Sequence, residues 1–124
     1  RHYRRQRQMC IRDSVGTGNK VEDYGVGFYT KYGDGGVDIA PIADLYKSEV
    51  WDLGKSLGID SRIIEAKPTD GLWDDGRTDE DQLGATYSEL EEAMETGKGT
   101  GLKVLEQYGR MNAHKMNPIP TFTL

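Results

Sequence analysis

The clearest pattern of hydrophobic and polar positions in this 124-residue chain predicts an amphipathic helix near its middle. The apolar side chains that follow helical spacing there are Tyr46, Val50, Trp51, Leu53 and Leu57. Asp44 can cap the start of this helix, because its carboxylate accepts hydrogen bonds from the free backbone N–H groups of a first turn. Gly58 is expected to end it, since glycine readily adopts the left-handed conformation that closes many helices.

Four further helices are predicted from shorter signals. In chain order they begin near Lys20, Ser61, Ser88 and Leu102. Asn19 and Glu22 have the spacing of a capping box, in which each side chain satisfies a backbone N–H of the other residue. Ser88 and Glu91 repeat that spacing, and the helix they open should close at Gly97. The last helix should run to about residue 115, because prolines follow.

Only two short stretches indicate strands. Val15 precedes a glycine turn, and residues 37–42 alternate as a half-buried strand does, although Pro41 restricts them to the edge or end of a sheet. Residues 68–81 predict a polar segment without regular structure. This order of elements is typical of part of an α/β domain, and the small number of strands indicates that part of the parallel sheet is missing.

The composition excludes several classes of protein. No apolar run approaches the roughly 18 residues of a transmembrane helix, and the lone Cys10 cannot build a disulfide framework or a metal cluster. We therefore expect a cytoplasmic protein without a membrane partner. Lys and Arg number 16 against 21 Asp and Glu, and the net charge of −5 disfavours a broad attraction for nucleic acid.

Residues 1–14 differ from the remainder in composition. They hold five arginines and one aspartate and show no apolar periodicity. A basic arm for nucleic acid is one interpretation, but a foreign or artefactual, disordered tail is favoured. In that case the native protein continues upstream of Val15 with other residues.

Candidate binding groups are concentrated in two stretches. Residues 16–36 are rich in glycine, but none of the glycine pairs completes a G-x-G-x-x-G loop, so turns and close packing are favoured. A second stretch is acidic, and a solvated loop is favoured there over a cation site. Its members are Asp70, Asp74, Asp75, Asp79, Glu80 and Asp81. Taken alone, Glu22 is a capping partner, and His114 and Lys115 are surface residues at a helix end.

Six motifs, in order, resemble the C-terminal half of the ammonia-dependent NAD synthetases. They are residues 16–22, 28–38, 41–47, 67–73 and 78–84, and His114-Lys115 followed by Pro118. The resemblance covers residues 15–124. It implies a Rossmann-like α/β fold of the ATP-pyrophosphatase group and a homodimer. The family's Ser-Gly-Gly-x-Asp-Ser pyrophosphate loop is absent, so we expect the isolated fragment to be inactive.

The resemblance also implies a reaction. It is the amidation of deamido-NAD by ammonia, with ATP as cosubstrate, an adenylated intermediate, and AMP and pyrophosphate as further products. A glutamine-dependent NAD synthetase, and a non-catalytic module for nucleotide binding or dimerisation, are the alternatives.

The motifs assign roles to individual residues. Thr17 would contact ATP, Glu22 would bind Mg²⁺, and Asp23 competes for the metal because one extra residue separates Glu22 from Lys31. The catalytic residues that would hold the ATP phosphates are Lys47 and Thr69. The residues that would bind deamido-NAD are Lys31, Asp38, His114 and Lys115. The acidic stretch 70–81 would be a mobile loop that closes over the nucleotides.

Overall fold

The computed structural model of the chain describes residues 13–69, 71 and 74–122. The predictions for residues 1–12, and for Asp70, Leu72 and Trp73, lie outside the described residues. The helices are α1 (Lys20–Val26), α2 (Lys47–Ser56), α3 (Ser61–Ile64), α4 (Asp79–Leu83), α5 (Tyr87–Thr96) and α6 (Leu102–Met116). All five predicted helices are therefore present, and α4 is an additional one.

Helix α1 is a π-type turn, in which the N–H of Gly27 donates to the carbonyl of Glu22 five residues earlier. As predicted, Asn19 caps it: the side-chain oxygen accepts from the N–H of Val21 at 3.0 Å and of Glu22 at 3.1 Å. The second half of the predicted capping box is wrong, because the carboxylate of Glu22 contacts other elements instead. Short π-type turns of this kind recur at functional sites.

The start of α2 differs from the prediction. The helix begins at Lys47, so Asp44 lies too far upstream to reach the free N–H groups of the first turn. The Asp44 carboxylate lies 3.2 Å from the ammonium of Lys20 instead. Glu49 accepts a hydrogen bond from the N–H of Tyr46 at 2.8 Å, which secures the entry to the helix.

Helix α4 begins within residues 68–81, the segment that was predicted to lack regular structure, and extends to Leu83. A reciprocal capping box explains it. The N–H of Thr78 donates to Asp81 Oδ2 at 2.9 Å, and the N–H of Asp81 donates to Thr78 Oγ1 at 3.2 Å. The two hydrogen bonds satisfy the backbone N–H groups of Thr78 and Asp81, which would otherwise have to bind water.

The capping box of α5 is displaced from the predicted one. Thr86 and Glu89 form it, so the predicted pairing of Ser88 with Glu91 is wrong by two residues. The difference matters because it frees the Glu91 carboxylate for a contact with another helix. Gly97 closes α5 in the left-handed conformation, as predicted.

Parallel β pairing within the described residues is limited to Val15 and Ile39. The N–H of Gly16 donates to the carbonyl of Ile39 at 2.7 Å. The predicted strand over residues 37–42 is reduced to this bridge, because the chain turns from Pro41 onward. The sheet of the expected Rossmann-like α/β fold is thus represented in the described residues only by one parallel contact.

Helices α1, α5 and α6 pack on one another around a small apolar core. Its buried members are Val21, Val26, Leu83, Ala85, Tyr87, Leu90 and Ala93. Gly25 permits the close approach of α1, since a side chain there would collide with Met94 of α5. Trp51 of α2 packs against the same core. None of the helices in the described part of the chain has the length and apolar content needed to cross a bilayer.

Candidate functional site

An ion pair between Glu22 of α1 and Lys47 of α2 forms the centre of the candidate site. Lys47 Nζ donates to Glu22 Oε1 at 2.7 Å, although the two residues are 25 positions apart. Their side chains are only 17% and 18% exposed. Because a charge that is removed from water needs a partner, each group stabilises the other. The fold therefore brings the predicted metal ligand and a predicted phosphate-binding lysine into contact.

Tyr87, the first residue of α5, completes this contact. Its Oη lies 2.8 Å from Glu22 Oε1 and 3.2 Å from Oδ2 of the buried Asp79. The Tyr87 ring faces Lys47, whose Nζ lies 5.2 Å from the ring centroid, within the range of a cation–π contact. Burial, followed by the negative charge of Glu22, raises the pKa of Tyr87. The phenol therefore stays protonated and acts as a hydrogen-bond donor.

Glu91, one turn further along α5, binds the first turn of α2. The N–H of Ser48 donates to Glu91 Oε1 at 3.0 Å, and the Ser48 hydroxyl donates to Oε2 at 2.7 Å. A carboxylate at this position satisfies a free N–H group and interacts favourably with the helix dipole. Since Ser48 follows Lys47, the contact fixes the backbone that carries the lysine.

Asp23 provides a second carboxylate beside Glu22. It is half-buried and packs on the glycine loop, where a methyl group added to Gly18 would lie 2.0 Å from Asp23 Oδ2. Burial, and next the negative charges of Glu22 and Asp34, raise the pKa of Asp23 to about 6. No group of three or more Asp, Glu, His or Cys side chains in the described residues is arranged to bind a metal ion. A cation here would depend on these two carboxylates and on oxygen atoms of a ligand.

Two lysines join the C-terminal end of α6 to the segment after α1. Lys31 Nζ donates to the carbonyl of His114 at 3.0 Å and also to the carbonyl of Asn117. Lys115 Nζ donates to the carbonyl of Gly27 at 2.7 Å. Carbonyls at a helix C-terminus carry partial negative charge and attract ammonium groups. Three of the four predicted dinucleotide-binding residues therefore lie together.

Asp38, the fourth, lies elsewhere. The backbone N–H and the hydroxyl of Ser14 donate to Asp38 Oδ2 at 2.7 and 2.8 Å. These hydrogen bonds lower the pKa of the Asp38 carboxyl. Among the described contacts none joins Asp38 to Lys31 or Lys115, so these residues do not form one continuous cluster in the chain as it stands.

Thr17 and Thr69, the predicted nucleotide contacts, are both exposed. Thr69 Oγ1 donates to the carbonyl of Arg77 at 3.1 Å and accepts from the N–H of Gly71 at 3.2 Å. Thr69 thus contacts two backbone groups of the acidic stretch 70–81. The described contacts do not join either threonine to Lys47, so the ion pair is the part of the predicted nucleotide site that the chain assembles by itself.

A cavity of about 360 Å³ lies between α2, α3 and the segment that leads to Thr69. Its lining includes the apolar side chains of Trp51, Ile64 and Pro68 and the ammonium-bearing Lys67. Trp51 also packs edge-on against Tyr87, with ring centroids 6.3 Å apart. A space of this size suits a small molecule, and it adjoins the site through a shared aromatic contact.

The sequence predicts neither Tyr87 nor Glu91 as a site residue, and it places Asp79 only in the acidic stretch 70–81, as part of a solvated or mobile loop. The spacing of Thr78 and Asp81 was the available signal, because a capping box there predicts a helix with Asp79 in its first turn. No comparable signal exists for Tyr87 or Glu91, since their contacts join helices that are distant in sequence.

A family model described as NAD synthase matches residues 7–119. The NH(3)-dependent NAD(+) synthetase of Methanococcoides burtonii is 53% identical over 87 residues, which are 70% of this chain and 32% of that protein. The NH(3)-dependent NAD(+) synthetase of Alkaliphilus oremlandii is 46% identical over 110 residues, 86% of this chain and 43% of that protein. The chain therefore spans less than half the length of these relatives.

The solved structures that the chain resembles include two synthetases. The NMN synthetase of Francisella tularensis has a TM-score of 0.80 and 36% identity, over 99% of this chain and 52% of that one. The NH3-dependent NAD synthetase of Campylobacter jejuni, in complex with nitrate, has a TM-score of 0.62 and 26% identity, over 97% of this chain and 49% of that one. These likenesses are consistent with a Rossmann-like fold. With a family match over most of its length and relatives that agree in name, the chain belongs to the NAD synthase family.

Proposed function

We propose that this chain is the C-terminal, nucleotide-binding part of a ligase that amidates deamido-NAD with ammonia and ATP to give NAD, AMP and pyrophosphate. The observation that carries the proposal is the largely buried ion pair of Glu22 and Lys47, which α5 holds through Tyr87. The family membership of the chain supports the same conclusion. Because the chain spans only part of its relatives, the activity is proposed for the whole protein.

The chemistry explains why such an ion pair is useful. A carboxylate resists attack by ammonia, because its charge is delocalised and oxide is a poor leaving group. Transfer of AMP to the carboxylate neutralises one oxygen and supplies a good leaving group, while pyrophosphate departs with increasing negative charge. Lys47 offsets that charge at a fixed position, since a preorganised cation needs no reorganisation during the reaction.

The donor set at Glu22 also fits a magnesium ion. The hydrogen bonds from Lys47 and Tyr87 both reach Oε1 of the carboxylate, so Oε2 is the atom proposed to bind the cation. Mg²⁺ in nucleotide sites is usually bound by one or two carboxylates together with waters and phosphate oxygens, so two adjacent acidic residues suffice. When bound, the ion would neutralise charge on the ATP phosphates.

Two matched substitutions test the metal assignment. Glu22→Gln should weaken Mg²⁺-dependent adenylation more than Asp23→Asn does, because the carboxylate of Asp23 is held against Gly18 and its raised pKa, about 6, disfavours charge. Pyrophosphate release is measured as a function of Mg²⁺ concentration. A larger effect of Asp23→Asn would transfer the metal to that carboxylate.

The end of α6 is the proposed site for deamido-NAD. Lys31 donates to a backbone carbonyl there and Lys115 donates to the carbonyl of Gly27 at the end of α1, and an anionic ligand can replace these carbonyls as acceptors. His114 lies beside them on α6. Asp38 is proposed to contact the same ligand from the Val15–Ile39 edge, and Thr17 and Thr69 are proposed to contact ATP.

A hybrid enzyme tests the proposed activity. In it, the part of this chain that matches the Alkaliphilus oremlandii synthetase replaces the corresponding segment of that protein. We expect the hybrid to convert deamido-NAD, ATP and ammonia into NAD, and the 124-residue chain alone to form none. A correctly folded hybrid that binds both nucleotides but forms no NAD would refute the proposal. Turnover by the chain alone would refute the need for the missing half.

The likeness to an NMN synthetase favours a second candidate, the amidation of a nicotinate mononucleotide in place of the dinucleotide. The two functions differ in whether the adenylate half of the acceptor contributes to binding. The hybrid is therefore supplied with each acid in turn. A kcat/KM that is at least tenfold higher for the mononucleotide, equivalent to about 1.4 kcal/mol, would establish the second candidate.

We also propose that the whole protein is a homodimer. Several large apolar side chains are exposed in the chain, and a partner surface would cover some of them. They include Val15, Ile39, Leu57, Ile59 and Ile63. Sedimentation of the hybrid gives the oligomeric state directly, and a monomer at micromolar concentration would contradict this part of the proposal.

A further inference from the structure

We propose that Tyr87 and Glu91, one turn apart on α5, are positioning residues that hold the Glu22–Lys47 pair in its working geometry. Nothing in the motifs or in the comparisons assigns a role to either residue. The inference rests on the proposed function for its kinetic outcome, but its structural outcome can be measured without any activity.

The contact of Tyr87 fixes Glu22. Both the phenol and the Lys47 ammonium reach the same carboxylate oxygen, Oε1, at 2.8 and 2.7 Å. The two donors thereby fix the position of Oε1, and neither of these two hydrogen bonds uses Oε2. The phenol has a single proton, and the shorter distance assigns that proton to Glu22 in preference to Asp79, at 3.2 Å.

The ring of Tyr87 acts on the other member of the pair. Lys47 Nζ lies 5.2 Å from the ring centroid, so the aromatic face supports the ammonium while the hydroxyl supports the carboxylate. The ring itself is held by Trp51, which packs against it edge-on. Tyr87 is only 2% exposed, so it has little freedom to leave this position.

Glu91 acts through the backbone. Tyr46, at the capping position just before α2, supplies no side-chain cap, and the Glu91 carboxylate supplies one from another helix. It accepts two hydrogen bonds from Ser48 and so fixes the turn that begins with Lys47. Tyr87 and Glu91 are four residues apart and therefore lie on the same face of α5. One helix face thus orients both members of the ion pair.

A double-mutant cycle in the hybrid enzyme tests Tyr87. Tyr87→Phe keeps the ring over Lys47 and removes only the hydroxyl. We expect kcat to fall about tenfold and the KM for deamido-NAD to stay within about twofold. In the Glu22→Gln background the same substitution should change kcat by less than about twofold, because two residues that act through one contact are not additive. An equal fall in both backgrounds would overturn the inference.

Tyr108→Phe is the matched control, since its hydroxyl donates at 3.0 Å to the carbonyl of Gln82, outside the site. It should leave kcat within about twofold. A tenfold loss in Tyr108→Phe would show that the effect of Tyr87→Phe is a general consequence of losing a buried hydroxyl, and would also overturn the inference.

Hydrogen exchange in the full 124-residue chain tests Glu91 without any activity. Glu91→Gln should accelerate exchange of the Ser48 amide about tenfold, because the charged acceptor of that N–H is lost. Glu95→Gln, an exposed carboxylate on the same helix, should leave it unchanged. Unchanged exchange in Glu91→Gln would refute the positioning role. If the exchange result is as expected and the unsubstituted hybrid forms no NAD, the proposed function fails and the positioning inference for α2 stands.

Discussion

Two lysine-containing regions of this chain differ in what holds the lysine in place. Lys47 is paired with a carboxylate, under an aromatic ring, with both side chains of the ion pair largely buried. Lys31 donates instead to a backbone carbonyl near the end of α6, and Lys115 donates to the carbonyl of Gly27 at the end of α1. In the first region the partner of the ammonium is a charged carboxylate. In the second region the partners of the ammonium groups are the dipoles of uncharged backbone carbonyls.

The difference indicates how each region meets a ligand. A buried ion pair is costly to break, so the geometry of Glu22 and Lys47 is preorganised before substrate arrives. The hydrogen bonds of Lys31 and Lys115 are exposed and part-buried respectively, so each can be exchanged for one to a ligand anion or to water at a smaller cost. We therefore expect rigid positioning at the phosphate end of the site and adaptable contacts at the dinucleotide end.

The largest expected effect is on the ion pair itself. Lys47→Met leaves the carboxylate of Glu22 buried without a cation, which should lower the free energy of unfolding by about 3 kcal/mol, the lower end for a broken buried pair. The loss is measured by urea unfolding of the chain. In the hybrid, pyrophosphate release should also fall about a hundredfold, because a fixed cation facing phosphate is lost.

Lys55→Met, on the same helix, is the control for this prediction. Lys55 pairs with Asp52, but their side chains are 63% and 75% exposed. Such pairs contribute about 0–1 kcal/mol, so little change is expected. If the two substitutions cost the same, the contrast between buried and exposed pairing would be wrong.

The next effect concerns the loop between α1 and Lys31. Gly27→Ala should destabilise the chain by about 2 kcal/mol, because φ is +66° and the new methyl group would lie 2.6 Å from Asn112 Cβ on α6. Gly58→Ala has a similar φ of +72° and no atom within 4 Å, so its cost should be limited to about 1 kcal/mol of backbone strain. If thermal unfolding showed the same loss of stability for both variants, the close packing of Gly27 against α6 would not contribute to stability.

Lys115→Ala tests the exchangeable contacts. In the hybrid it should raise the KM for deamido-NAD about tenfold, the equivalent of one charge-assisted hydrogen bond, and leave the KM for ATP within about threefold. Steady-state kinetics with each substrate varied in turn measure this. Lys103→Ala, an exposed position on α6, should change neither value. Equal effects of Lys115→Ala on both substrates, or a loss of thermal stability alone, would favour a structural role.

The smallest effect is a pH dependence at Asp23. The folded state raises the pKa of this carboxyl to about 6, so the charged form opposes folding. The favourable contribution is complete below the unfolded pKa of about 3.9 and is lost as the pH rises through 6. Asp23→Asn should therefore stabilise the chain above pH 6 by about 1 kcal/mol, after allowance for solvent screening, and have no effect at pH 3.5. Urea midpoints measured with a chelator would contradict this if the difference grew towards low pH.

The local sequence predicts a helix correctly where a single capping or closing residue marks its start or end. Asn19 caps α1 and Gly97 closes α5 as their residue types predict, because capping involves backbone groups within a few residues. Local signals did not predict α4, which begins with the capping box of Thr78 inside an acidic stretch, and they predicted a longer strand than the bridge of Val15 and Ile39, because the chain turns from Pro41 onward.

The candidate site also has features that the sequence determines and features that only the tertiary structure determines. The sequence by itself determined which residue types were available, and the resemblance assigned Glu22 and Lys47 to neighbouring tasks. Only the tertiary structure decided that they touch, that Tyr87 donates to the same oxygen, and that Glu91 caps α2 from α5. These contacts join residues 25, 65 and 43 positions apart. Their geometry depends on how the helices pack, and no periodicity within a single helix records it.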